Sequence, residues 1–266
     1  MIYFLKKISI IYYFFFPRTF GFGYNQYKYS VIKKKIIYGN NSVKLREYLD
    51  ERIVEIPWII NKLKSTNNKK ILDVGCTLNF KYLIDFFLKK NKIFFINLFK
   101  EKNNYFSNQI SYIQNDIRNS ALNDKYFDIV TAISVLEHIG FDNSIYNYEF
   151  KKNNTINKQN YKKALLEIKR VLKKGGKFFM TVPFGKKQIF DNYMQFDHRE
   201  INNIIKIFKP SKYKIEYFYF NKLNKCWSKT NPQRCKNNIA NSKGKIGICS
   251  NSVALIEMIK WYFIKF

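Results

Sequence analysis

Short apolar runs alternate with helical patterns along the middle of the chain, and this alternation restricts the fold more than any other feature. The runs with strand character are Lys70–Val74, Ile93–Leu98, Ser111–Ile113, Phe127–Ile133, Lys177–Val182, Lys214–Phe220 and Val253–Ile259. Helical patterns at Phe80–Lys89, Tyr161–Leu172 and Glu200–Phe208 lie between them. Strands that alternate with helices form a mostly parallel sheet with helices on both faces. The sequence therefore predicts an α/β fold with a doubly wound sheet.

The pattern divides the chain into a short N-terminal extension and one larger domain. Residues 1–41 form an apolar and basic extension, and residues 42–266 form the domain. We expect the core of the domain at about 65–220 and a polar, irregular insertion at 221–250 before the last strand. Residues 42–64 have a helical pattern that Ser42 can cap, and Pro57 is expected to start a second helical piece.

An apolar run from Ile8 to Phe16 follows two lysines near the N-terminus. The run is shorter than the roughly 20 residues that span a bilayer. The residues after Pro17 match a signal-peptide cleavage site poorly, so we expect no cleavage. A targeting segment, a peripheral membrane contact by residues 1–16 and a buried edge strand all stay open.

The chain is strongly basic, with 48 Lys and Arg residues against 19 Asp and Glu and a formal net charge of +29. Such a charge suits nucleic acid or an anionic membrane surface as a partner. The lysines are, however, spread along the whole chain rather than gathered in one block. Biased composition therefore explains the charge better than a polyanionic partner does, and nucleic acid remains the less favoured alternative.

Cysteine and histidine are scarce. The cysteines are Cys76, Cys226, Cys235 and Cys249. They form no C-x-x-C pair, and a structural zinc site needs closely spaced Cys and His ligands, so the sequence predicts no metal site. We expect reduced thiols and a cytoplasmic location, while a disulfide among the three C-terminal cysteines stays open.

The turn after the first predicted strand, Asp73-Val74-Gly75, is a candidate ligand site. Gly75 permits a tight turn and a close approach to the backbone, and the following helix N-terminus can hold a polar or anionic group. The G-x-G-x-x-G and G-x-x-x-x-G-K-[ST] loops are missing, because Thr77 and Leu78 follow the glycine. Ligands of such sheets bind beyond the C-terminal strand ends, which places this turn, Asp116 and residues 133–140 around one crevice.

Five segments in order carry a family resemblance. They are ILDVGC, INLFK, IQNDIR, YFDIVTAISVLEHIG and LLEIKRVLKKGGKFFMTVPFG. Together they resemble class I S-adenosylmethionine-dependent methyltransferases of the small-molecule type, over about residues 65–220. The resemblance implies a Rossmann-like, seven-stranded sheet and S-adenosyl-L-methionine as cofactor. It also implies methyl transfer to a small-molecule substrate, for which a sugar or glycan precursor is one candidate.

The resemblance also implies roles for individual residues. Asp73, Gly75 and the adjacent Cys76 match the turn that faces the methionine part of the cofactor. Asn97 lies where the family usually has an acidic residue that binds the ribose hydroxyls, and Asp116 matches the acidic residue near the adenine amino group. The other implied cofactor contacts are Ile117 beside Asp116, and Ser134, Val135 and Leu136 after the fourth strand.

Two histidines and one glutamate are candidates for work on the substrate. His138 is the candidate catalytic base, and Glu137 and His198 are candidate substrate contacts. Each has a structural alternative. His138 can be a loop histidine at the end of a short helix, and His198 follows Asp197, which we expect to cap a helix that Glu200 completes as a capping box. In the same way, Asp73 can serve only to cap turn amides, and Asp116 can be a turn residue.

Departures from the family pattern leave three functions open. Thr77 and Asn79 stand where glycines are common, and Asn97 lacks the charge of a carboxylate. An active methyltransferase for small molecules is the leading hypothesis. RNA methylation is motivated by the charge, although the D/N-P-P-Y/F motif of base amino-group methylation is replaced by SVLE at residues 134–137. A non-catalytic protein with a weakened cofactor site is the third.

Overall fold

The computed structural model describes residues 17–38, 49–87, 91–105, 108–144, 157–224, 226–240 and 250–261. Three features of the sequence lie outside these residues. They are the apolar run from Ile8 to Phe16, the predicted helix start at Ser42, and Cys249. Within the described residues, no helix is both long and apolar enough to cross a membrane.

The chain forms one eight-stranded sheet with helices packed against it, plus a two-stranded hairpin. The strands are β1 Lys70–Val74, β2 Lys92–Asn97, β3 Ile110–Gln114, β4 Phe127–Ile133, β5 Leu172–Pro183, β6 Gln188–Ile189, β7 Met194–Gln195, β8 Pro210–Asn221, β9 Cys226–Thr230 and β10 Ser252–Lys260. The helices are α1 Pro17–Tyr38, α2 Arg52–Leu63, α3 Lys81–Phe87, α4 Asn160–Val171, α5 His198–Phe208 and α6 Pro232–Cys235. Single 3-10 turns lie at Ile117–Asn119 and Leu136–His138.

The order of the strands in the sheet is β3-β2-β1-β4-β5-β10-β8-β9. The strands from β3 to β5 pair in parallel, whereas β10 runs antiparallel to both of its neighbours. The order reverses between β1 and β4, because β2 and β3 lie on one side of β1 and the later strands lie on the other. The carboxyl ends of β1 and β4 therefore form the switch point where such sheets bind ligands.

Hydrophobic packing covers both faces of the sheet and fixes its position between the helices. One cluster joins α4 and α5 to the sheet through residues such as Leu165, Ile168 and Phe208, which are fully buried. The other cluster joins α1, α2 and α3 to the opposite face through residues such as Ile59 and Leu83. This arrangement is the predicted doubly wound α/β fold, and it confirms the fold class.

The structure corrects the sequence predictions in three places. Pro57 does not start a new helix but lies inside α2, where its missing N–H costs one helical hydrogen bond and buried packing holds the helix together. The LKKGG segment ends α4, as predicted, yet its residues already belong to β5. The eighth strand is β9, which lies in the segment predicted to be irregular.

The 221–250 segment is more ordered than its polar composition suggests. It contains β9, which pairs with β8, and the short helix α6. The Trp227 ring N–H donates to the Leu49 carbonyl oxygen at 3.0 Å and lies against Phe220, so this tryptophan ties the sheet edge to the segment before α2. Cys76, Cys226 and Cys235 are free thiols.

Candidate active site

The turn after β1 is held by a buried carboxylate. Asp73 is fully buried and accepts hydrogen bonds from the Leu78 backbone N–H at 2.8 Å and the Thr131 hydroxyl at 2.6 Å. Burial raises the pKa of Asp73 to about 7, and the two hydrogen bonds offset part of that effect. The Asp73 side chain therefore stabilises the turn through hydrogen bonds. This is the capping role that the sequence analysis gave as the structural alternative to a cofactor contact.

Gly75 lets the turn approach the loop after β4. It has φ of +82°, and a Cβ built there would lie 2.6 Å from Cγ2 of Val135. Any side chain would be strained by the backbone and would collide with Val135. The backbone of residue 75 and the Val135 side chain are therefore packed directly against each other, and both line one cavity.

The two unusual residues of this turn have hydrogen-bonding roles. Thr77 donates its hydroxyl to the Ile133 carbonyl oxygen at 3.0 Å, which joins the turn to the end of β4. Asn79 is buried, and its amide donates to the Asn103 carbonyl oxygen at 2.7 Å and accepts from the Tyr112 hydroxyl at 3.1 Å. The departures from glycine thus attach the turn to β4 and to the loop after β2.

A cavity of about 570 Å³ opens beyond the carboxyl ends of β1 to β4. This volume lies within the range of small-molecule sites, about 300–1,000 Å³. The predicted site residues that line it are Gly75, Asn97, Asp116, Ile117, Ser134, Val135 and His138. The fold therefore brings together residues from four different strand ends, as the switch-point argument requires.

Five predicted site residues lie outside the lining of this cavity. Asp73 and Leu136 are completely buried, and Cys76 is buried beside the turn. Glu137 is buried, and His198 is exposed at the start of α5, where its ring and the Phe184 ring make a T-shaped contact. Asp197 caps α5 through the Glu200 N–H, as predicted, but the Glu200 carboxylate is bound by Tyr161 and Lys187 rather than closing a capping box.

One end of the cavity is closed by an ion pair after β3. The Asp116 carboxylate accepts from the Arg118 backbone N–H at 2.8 Å and from Nε and Nη2 of the Arg118 guanidinium at 2.5–3.0 Å. Although partial burial opposes it, these Arg118 contacts lower the pKa of Asp116, so the carboxylate is charged. The Arg118 side chain lines the same cavity, a contact that the sequence reasoning did not include.

The opposite end contains Arg52, the first residue of α2, which the sequence reasoning missed. Its Nη1 donates to Glu55 Oε2 at 3.2 Å and to the Ile133 carbonyl oxygen at 3.0 Å. Glu55 is fully buried, and its Oε1 accepts from the Ser134 and Thr181 hydroxyls, both at 2.7 Å. A signal of this arrangement was present in the sequence, because Arg52 and Glu55 are spaced i, i+3 and the rest of the helix is apolar as far as Ile60.

His138 lines the cavity near this end. Its Nδ1 lies 2.7 Å from the Asn192 carbonyl oxygen, and a carbonyl only accepts, so Nδ1 carries the proton and Nε2 is the basic nitrogen. Desolvation lowers the pKa of His138 to about 4, the contact with Asn192 opposes the shift, and the Arg52 charge adds to it. The imidazole is therefore neutral near neutral pH.

The comparisons with known proteins identify the family of the chain. A family model described as a methyltransferase domain matches residues 72–180. An uncharacterized protein of Methanocaldococcus jannaschii is 30% identical over 183 residues, which cover 65% of this chain and 68% of that protein.

Two solved structures are among those that resemble this chain. Phosphoethanolamine N-methyltransferase 2 of Haemonchus contortus, solved with phosphomonomethylethanolamine and S-adenosylhomocysteine, is 13% identical with a TM-score of 0.50, covering 88% of this chain and 58% of that chain. The 1,6-didemethyltoxoflavin-N1-methyltransferase of Burkholderia thailandensis, solved with its substrate and S-adenosylhomocysteine, is 11% identical with a TM-score of 0.49 and 90% coverage of both chains.

Fold, cavity and family model together define a nucleoside-cofactor enzyme of the doubly wound α/β class. The chain belongs to the class I S-adenosylmethionine-dependent methyltransferases, and S-adenosylmethionine is its cofactor. The residues present fit this group, since Gly75 lets the β1 turn pack against the loop after β4 at the edge of the cavity, and Arg52 and Asp116 supply charges at opposite ends of it.

Proposed function

We propose that the protein methylates a small-molecule acceptor that enters at the His138 end of the cavity, with a sugar or glycan precursor as one candidate. The observation that carries the proposal is the position of His138, which lines the cavity with its tautomer fixed by the Asn192 carbonyl. The cofactor supplies an electrophilic methyl group on a sulfonium. The chain has to orient the acceptor, exclude water and receive a proton.

We assign the cofactor ends from the charges at the cavity. Arg52 would hold the carboxylate of the methionine part, because Glu55 and Ile133 fix only one of its nitrogens, Nη1. Asp116 and Ile117 would border the adenine, as the family resemblance implies, and the ribose would lie between. In this orientation, the sulfonium end lies toward Ser134 and His138.

His138 would act on the acceptor as a base of low strength. Its pKa of about 4 keeps Nε2 unprotonated near neutral pH, so it can accept a hydrogen bond from an acceptor hydroxyl. As the acceptor oxygen bonds to the methyl carbon and the carbon–sulfur bond breaks, S-adenosylhomocysteine would leave, and the hydroxyl proton, by then much more acidic, would pass to His138 Nε2. A protonated product imidazolium near Arg52 is disfavoured, which would speed its return of the proton to water.

The test is a binding and turnover experiment on the purified full chain. We expect S-adenosylhomocysteine to bind and to raise the melting temperature. Methyl-labelled S-adenosylmethionine is then added together with either the small-molecule fraction or the total RNA prepared from one cell extract. Label in the small-molecule fraction supports the proposal, label in RNA supports the RNA alternative, and no binding at millimolar ligand supports the third hypothesis of a weakened site.

The two histidines provide a matched pair of variants for this assay. His138→Asn should lower turnover by about 10²-fold or more, in the range of general-base catalysis. His198→Asn should leave turnover near the wild-type value, because His198 is exposed and lies outside the cavity lining. Equal turnover of the two variants would contradict a proton-transfer role for His138.

The cytoplasmic location remains a prediction that rests on the cysteine pattern.

A further inference from the structure

The cofactor cavity has two acidic side chains among the described residues that line it, Asp116 and Glu101. Asp116 is already bound on both of its oxygens by Arg118. Glu101 lies in the loop after β2, four residues beyond Asn97, and is half-buried. Among the described residues, Asp116 forms an ion pair with an arginine and Glu101 does not.

The loop that carries Glu101 is held in place by a chain of hydrogen bonds. Buried Asn79 donates to the Asn103 carbonyl oxygen at 2.7 Å and accepts from the Tyr112 hydroxyl. The same hydroxyl accepts from the Tyr105 backbone N–H at 3.0 Å. Asn79 therefore attaches the loop after β2 to the turn after β1 and to β3.

The Glu101 carboxylate is oriented within this loop. Its Oε1 accepts from the backbone N–H groups of Lys102 at 2.9 Å and Asn103 at 3.3 Å. Burial raises the pKa of the Cys76 thiol and the nearby Asp73 and Glu101 carboxylates raise it further, so Glu101 lies close to the β1 turn. Glu101 thus lies between the carboxyl ends of β1 and β2, between the two ends assigned to methionine and adenine.

We propose that Glu101 binds the ribose hydroxyls of the cofactor, in place of Asn97. A vicinal diol offers two O–H donors, and an ionised carboxylate is the strongest acceptor for such a pair. Asn97 at the end of β2 lines the same cavity but offers a neutral amide. The inference rests on the assigned cofactor cavity, and it explains why the chain retains Asn79 where a glycine would leave the loop unattached.

The experiment compares two ligands and three proteins by calorimetric titration of the full chain. The ligands are S-adenosylhomocysteine and its 2′,3′-dideoxy analogue. The variants are Glu101→Gln and, as a matched control, Asp85→Asn, whose carboxyl group lies on the surface of α3 with its side chain 59% exposed. Glutamine keeps an acceptor oxygen for the Lys102 and Asn103 N–H groups, so the change removes charge and preserves the loop.

We expect Glu101→Gln to bind S-adenosylhomocysteine about tenfold more weakly, the difference between a charge-assisted and a neutral hydrogen bond. Its affinity for the dideoxy analogue should equal that of the wild type, and Asp85→Asn should change neither affinity. Equal loss for both ligands would assign Glu101 a purely structural role and overturn the proposal. A wild-type protein that binds both ligands equally would also overturn it, without relying on any variant. Failure of the wild type to bind either ligand would instead count against the cofactor cavity itself.

Discussion

Gly75→Ala tests the geometry of the cofactor turn most directly. The backbone at this position has φ of +82°, and the new Cβ would lie 2.6 Å from Cγ2 and 3.3 Å from Cγ1 of Val135. A non-glycine residue in the left-handed region costs about 1–2 kcal/mol. Overpacking of a filled site adds about 1–3 kcal/mol. We therefore expect the free energy of unfolding to fall by about 2–5 kcal/mol.

Two control variants separate the two parts of this loss. Gly175→Ala has a similar φ of +72° at an exposed position, so it should measure the backbone strain alone. Gly75→Ala in a Val135→Ala background removes both colliding methyl groups and should recover the overpacking part but not the strain.

The assay is urea unfolding of each variant, with thermal melting as a check, because each kcal/mol shifts the midpoint by roughly 2–4 °C in a chain of this size. Affinity for S-adenosylhomocysteine should fall together with stability, since residue 75 and Val135 are in contact and both line the cavity. An equal effect of Gly75→Ala in the wild-type and the Val135→Ala backgrounds would refute the steric reasoning.

Three further predictions concern charge. The pKa of His138 is about 4 in the folded protein, below its usual value of about 6.5, so between these pH values the unfolded chain binds a proton that the folded protein does not. The free energy of unfolding should therefore fall as the pH falls from about 6.5 to 4. His138→Gln should flatten this slope, measured by urea unfolding at each pH. Asp73 should change the stability in the opposite direction, because its pKa of about 7 in the folded protein lies above its usual value. Its contribution to the free energy of unfolding is present at low pH and is lost as the pH rises from about 4 to 7. Asp73→Asn should remove this pH dependence. Arg52→Gln should weaken S-adenosylhomocysteine about tenfold or more while sparing 5′-methylthioadenosine, which has no carboxylate; equal losses for the two ligands in calorimetry would contradict the assigned contact.

The sheet could be predicted from the sequence because its strands are short apolar runs with clear ends. Phe127–Ile133 is buried along nearly its whole length, and burial of this kind is visible as continuous hydrophobicity. The strand β9 could not be found in this way, since Cys226–Thr230 is a half-exposed edge strand with a polar composition. Its position depends on pairing with β8 and on the contact of Trp227 with Leu49, neither of which leaves a local pattern.

The cavity residues that directly follow a strand could be predicted from the sequence, whereas those that come from other elements could not. Gly75, Asp116 and Ser134 each follow a strand, so strand order alone brings them together. Arg52 reaches the cavity from a helix that precedes β1, and its partner Glu55 binds Thr181, 126 positions further along the chain. Contacts of this length depend on the completed fold and not on spacing.

The position of β10 makes one half of the sheet depend on a strand that comes late in the sequence. This strand lies between β5 and β8, although residues 252–260 follow all the other described strands along the chain. The strands β1 to β5, which carry the β1 turn, the loop after β2 and His138, pair with one another without it. The β8–β9 hairpin pairs with the rest of the sheet through β10, which is hydrogen-bonded to β5 on one side and to β8 on the other. Loss of β10 would therefore detach the β8–β9 edge from the sheet and leave the strand pairing at the cofactor end in place.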